Sequence, residues 1–77
     1  MFVYNVTCHV EENILDDWLQ WMKEEHLPEV MATGKFLSYR MLKVDPLDGN
    51  DTGHSFAIQY TATSREKYLL YVAEDGP

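Results

Sequence analysis

Three stretches of alternating residues and two of helical period, in the order strand, helix, strand, strand, helix, predict an α+β domain built on an antiparallel sheet. The length of 77 residues allows one hydrophobic core and not two, so the whole chain, residues 1–77, reads as a single domain. Composition agrees: 45% hydrophobic, 13% aromatic and 25% charged residues describe a folding globular chain and exclude disorder and coiled coil.

The first strand is predicted over residues 2–10, where Phe2, Tyr4, Val6, Cys8 and Val10 alternate with Val3, Asn5, Thr7 and His9. Glu11, Glu12 and Asn13 then read as a helix start, with Asn13 as cap and the carboxylates at the positive end of the helix dipole. Over residues 14–26 the period becomes 3.6. Ile14, Leu15, Trp18, Leu19 and Met22 share one arc, Trp21 stands at its margin, and Asp16, Asp17, Gln20, Lys23 and Glu24 lie opposite. Pro28 disfavours the helical conformation at Leu27, so the helix is expected to stop or kink there, followed by one turn over residues 29–32 closed by Gly34.

A second strand is predicted over residues 36–44. Alternation alone leaves its inward face open between the set containing Phe36, Arg40 and Leu42 and the set containing Leu37, Tyr39 and Met41. Residues 45–53 are dense in Asp, Pro, Gly and Asn and read as a hairpin loop. The third strand follows over residues 54–62, with Phe56, Ile58, Tyr60 and Ala62 on its apolar face. Thr63 is expected to cap the last helix, with Glu66 reaching back and Leu69, Val72 and Ala73 inward, before Gly76 and Pro77 end it.

These are the first five elements of the six-element ferredoxin-like arrangement, βαββα(β), with an antiparallel sheet and two helices on one face. The last strand is missing from the 77 residues, which would leave residues 2–10 as a bare edge without the proline or lysine that guards natural edges. The expectation is a C-terminally truncated domain whose polypeptide continues past Pro77, or a partner subunit that covers this edge.

Thirteen Asp plus Glu against six Lys plus Arg give a formal charge of −7, which opposes nucleic-acid phosphates and anionic lipid headgroups, so neither partner is expected. Cys8 is the only cysteine, and no basic and apolar leader follows Met1, which points to a reducing cytoplasm. Metal is not expected: Cys8 and His9 face opposite ways on a strand, and His9, His26 and His54 lack ligand spacing. Asp48, Asn50, Thr52 and Gly53 open like a calcium loop, but Gln59 stands where its bidentate Glu is needed. No cofactor motif is present.

Two groups of residues bear chemistry. His26 borders the apolar arc of the first helix, where an imidazole serves as general base or ligand donor, or else interacts with the last carbonyls of its own helix. Tyr60 points into the same core and is placed to reach His26, its hydroxyl needing a partner if buried. On the other sheet face Asn5, Thr7, His9, Tyr39, Gln59 and Thr61 gather as a polar, aromatic-containing surface, suited to a dimer interface, a small-ligand cavity or plain solvent.

The run from Trp18 to Phe36, Trp-x2-Trp-Met-x3-His-Leu-Pro-Glu-Val-x2-Thr-Gly-x-Phe, resembles a family of short bacterial proteins that form a domain of unknown function. The resemblance extends to the Tyr4-Asn5-Val6-Thr7 strand, to Gln59 through Ala62 and to Ser64-Arg65-Glu66. Members usually end in a further strand, and the family implies no catalytic residue. His26-Leu27-Pro28 and the order of elements also resemble the dimeric α+β barrel superfamily, in which two subunits pack sheet on sheet and a pocket lies between helices and sheet. That likeness implies a homodimer, with either no activity of its own, a cofactor-independent monooxygenase or isomerase activity on a small hydrophobic substrate, or a role in sensing a small metabolite.

Overall fold

The structure, a computed structural model, describes residues 1–45 and 53–75. Apart from Asp45 and Gly53, the predicted hairpin loop lies outside the described residues, and so do Gly76 and Pro77. Strands β1 (Phe2–Glu11), β2 (Ser38–Val44) and β3 (Gly53–Ala62) form one antiparallel sheet in the order β1-β3-β2. β1 runs beside β3 without a bulge from Phe2 opposite Ala62 to Glu11 opposite Gly53, and β2 flanks β3 on its other side. The outer edge of β1 has no strand beside it among the described residues. All helices pack on one sheet face, an α+β arrangement consistent with the ferredoxin-like fold.

The first helical arm differs from the expectation at both ends. Because β1 stays paired as far as Glu11, Asn13 falls inside a 3-10 turn (Glu12–Ile14) and caps nothing; His54 Nε2 bonds the Glu12 carboxylate at this corner instead. Helix α1 (Leu15–Trp21) then passes through a π turn (Met22–His26) directly into α2 (Leu27–Ala32). Pro28 therefore neither stops nor breaks the helix, and Leu27 keeps helical angles. Proline in a helix lacks a donor and crowds the carbonyl four residues back. The wide turn immediately before it, in which the Leu27 N–H donates to the Met22 carbonyl five residues back, loosens the ladder where that crowding falls. Gly34 closes α2 as expected, at φ +75°, its N–H donating to the Met31 carbonyl at 3.2 Å.

Phe36 lies outside β2 and plugs the core. The Leu37 N–H bonds the Thr61 carbonyl at 2.7 Å, and β2 begins only at Ser38. Pairing settles the inward face left open by alternation: Tyr39, Met41 and Lys43 stand opposite Tyr60, Ile58 and Phe56, on the helix side. The buried core joins Val10, Phe56, Ile58, Tyr60 and Ala62 of the sheet to Met22, Leu27 and Val30 of the arm, and no polar or charged residue is buried among the described residues.

Helix α3 (Arg65–Glu74) corrects two expectations. Ser64, not Thr63, is its cap, with Oγ accepting from the Lys67 N–H at 3.2 Å. Its inward residues are Tyr68 and Tyr71, while Leu69 is 49% exposed, Val72 is also exposed and Ala73 lies on the outer side. A tyrosine ring carries more buriable area than leucine or valine although its hydroxyl lowers its hydropathy, so the apolar pattern selected the wrong arc. Lys35 ties the far end of α3 down, with Nζ 3.0 Å from Glu74 and 3.2 Å from Asp75.

The cap assignment separates two substitutions. Ser64→Ala should lower unfolding free energy by about 1 kcal/mol in urea titration, and Thr63→Ala by a few tenths at most.

Candidate functional site

Where α1 and its π turn diverge from α3 above the sheet, they leave a cavity of about 220 Å³. Its floor follows from strand alternation, since Tyr4, Val6 and Cys8 of β1 and Ile58 and Tyr60 of β3 all face the helices. One wall is Trp18, Trp21, Met22 and His26, and Tyr71 of α3 is the other. The π turn shapes that first wall. A straight α-helix would set residues five apart about 140° from each other, but across the widened turn the Trp21 and His26 rings stack at 4.7 Å and 19°.

Tyr60 is the distinctive group. Only 4% of it is exposed, and its hydroxyl has no hydrogen-bond partner among the described residues. Every fully enclosed side-chain nitrogen or oxygen among those residues does have a partner, so the Tyr60 oxygen is not fully enclosed, and the residue lines the cavity. Burial, reinforced by Tyr71 and Tyr4, pushes its pKa up to about 12. Burial and then Tyr4 also raise Tyr71. Both phenols therefore stay neutral donors at physiological pH. An apolar cavity of about 150 Å³ accepts benzene, so this one has room for a single substituted ring with an acceptor directed at Tyr60.

A second hollow of about 130 Å³ lies beside the first, lined by His26, Glu29, Val30, Thr33, Tyr71 and Asp75. His26 and Tyr71 border both, so the two hollows adjoin between the arm and α3. On its far side Asp75 is held by Lys35, whose pKa is raised by its hydrogen bonds to Glu74 and Asp75.

Sequence reasoning brought His26 and Tyr60 to the same place as the structure does. The proposed polar group divides. Asn5, Thr7, His9, Gln59 and Thr61 occupy the open sheet face, where Asn5 Nδ2 donates to Thr7 Oγ1 at 3.2 Å and His9 Nδ1 lies 3.3 Å from Ser55 Oγ. Gly53 makes room for that imidazole, since a Cβ there would sit 2.7 Å from His9 Nε2. Tyr39 does not join them: opposite Tyr60 it stands on the helix side at the sheet's margin, and Arg40 takes the place beside Gln59. Cys8, Trp18, Trp21 and Tyr71 line the cavity although none was singled out for it. Alternation had already turned Cys8 toward the helices, and only Tyr71 left no usable signal.

A family described as a domain of unknown function, DUF4286, matches residues 1–77. The chain belongs to this family. No curated protein and no solved structure matches it. Among the described residues no helix is long and apolar enough to cross a membrane, and no group of three or more His, Cys, Asp or Glu converges on a point.

The raised Tyr60 value fixes a pH dependence. With a folded pKa of about 12 above the ordinary 10.0, the neutral phenol stabilises the fold fully below pH 10, and that contribution disappears as pH rises from 10 to 12. The loss amounts to roughly 2 to 3 kcal/mol, and Lys35 acts in the same direction above its ordinary 10.5. Urea midpoints measured across this range should fall steeply in the native protein and less so in Tyr60→Phe.

Proposed function

We propose that this domain is a homodimeric small-molecule-binding protein, a sensor or carrier, that receives one small aromatic ligand between helices and sheet. The observation that carries the reading is the buried Tyr60, whose hydroxyl has no partner among the described residues and which lines an aromatic cavity of about 220 Å³. A buried phenol donor left free in an apolar pocket is what fixes the orientation of a small ligand. The Cys8 thiol at the same cavity fits a reducing cytoplasm.

A second reading has one observation in its favour, that His26 lines both compartments. It would make the domain a cofactor-independent isomerase or monooxygenase-like enzyme, with His26 as base and Tyr60 orienting a carbonyl. His26→Ala separates the two, because a binding protein keeps its ligand when the base is removed.

The dimer would form through the open sheet face. Among the described strand residues on that face, only Glu11 and Arg40 carry fixed charge, in a chain with thirteen acidic residues. Such charge depletion is typical of the centre of a protein interface.

Benzyl alcohol is a suitable first probe, because Trp18 and Trp21 report on the cavity through their fluorescence. Saturable quenching should appear at millimolar concentrations or below, and Val6→Phe, which fills the cavity, should abolish it while the fold persists; no saturation in the native protein would remove the reading. Association is checked separately. Equilibrium sedimentation should give twice the chain mass at high micromolar concentration, shifting toward monomer in Thr7→Glu, and a native monomer would end the dimer proposal.

A further inference from the structure

We infer that the ligand of this cleft is a primary or secondary amine on an aromatic body, with the ring in the Tyr60 compartment and the ammonium in the neighbouring hollow beside Glu29. The inference rests on the binding reading above and adds the charge of the ligand to it. Three observations carry it.

First, the two hollows share His26 and Tyr71 as lining, so a ring in the inner one lies next to the outer one. Tyr60, whose hydroxyl is free of any partner among the described residues, lines the inner hollow. Second, the charged side chains that line the cleft are acidic. Glu29 and Asp75 border the outer hollow, and no Lys or Arg lines either compartment. The nearby Lys35 engages Glu74 and Asp75, whereas Glu29 forms no ion pair among the described residues. A ligand carboxylate would find no fixed cation there, while an ammonium would find a carboxylate.

Third, Tyr71 lines both hollows, which puts an aromatic ring beside the place given to the ammonium. The net charge of −7 adds a long-range field of the same sign. A single substituted ring fills about the inner volume, and the outer 130 Å³ suits a short aminoalkyl chain.

Three probes of one shape and different charge test this: 2-phenylethylamine, 2-phenylethanol and phenylacetate, each titrated into the protein and followed by tryptophan fluorescence and amide chemical shifts. The amine should bind about five- to tenfold more tightly than the alcohol, and phenylacetate most weakly. Raising the salt concentration should narrow the gap. Glu29→Gln, at an exposed position, should bring the amine to the level of the alcohol and leave the alcohol unchanged. Equal affinity for amine and alcohol, tighter binding of phenylacetate, or an amine preference that survives intact in Glu29→Gln would each overturn the inference and leave the cavity reading standing. If none of the three binds, the cavity reading fails and takes the inference with it.

Discussion

Helix α3 is fastened to the sheet through the ring of Tyr4. It lies at 5.9 Å from Tyr60 across the strand pair, 6.5 Å from Phe36, 4.8 Å from Tyr68 and 6.4 Å from Tyr71. Helix α3 buries no residue completely, so these half-buried tyrosines are its main hold. Each aromatic pair contributes about 0.5 to 1.5 kcal/mol beyond its area, whereas the exposed Lys35 pairs belong to a class worth well under that. The rings therefore decide where α3 sits. They also decide the cleft, because Tyr4 and Tyr71 are at once the fastening and two of its surfaces.

The opposite wall depends on a different constraint, the missing donor of Pro28. A regular helix through that residue would crowd its ring against a carbonyl, and the π turn from Met22 to His26 relieves the crowding just upstream. The relief changes the phase of everything before it relative to α2. Trp21 and His26 become neighbours, Met22 stays buried, and Leu27 and Val30 enter the core. One backbone irregularity thus places an indole, an imidazole and the rim of the outer hollow.

The strands were legible because period-two alternation is a strong signal and the partner strand confirms it. β1 and β3 appear within one residue of their expected limits, with the expected faces inward. The helix boundaries were less so. Asn13 and Thr63 are sound caps by type, but capping depends on where the preceding strand lets go, which is a tertiary matter. Tyr39 failed for a related reason: β2 has polar and apolar residues on both faces, and only its register against β3 assigns them. The cavity was half visible. His26 and Tyr60 were identifiable from helical and strand phase, but the contribution of Tyr71 required the rotation of α3, which is set by ring packing and not by hydropathy.

The unbroken ladder between β1 and β3 has a bearing on how such a protein can change over time. Even-numbered positions of β1 face the helices, Tyr4, Val6 and Cys8 among them lining the cavity, and odd-numbered ones form the outer sheet face, with no bulge to mix them. Point substitutions can thus change the cavity-lining surface and the outer sheet surface independently along the same ten residues. Insertion or loss of a single residue within that strand is another matter, since it would exchange the two inventories at once and turn Tyr4 outward. The segment is open to substitution and closed to changes of length.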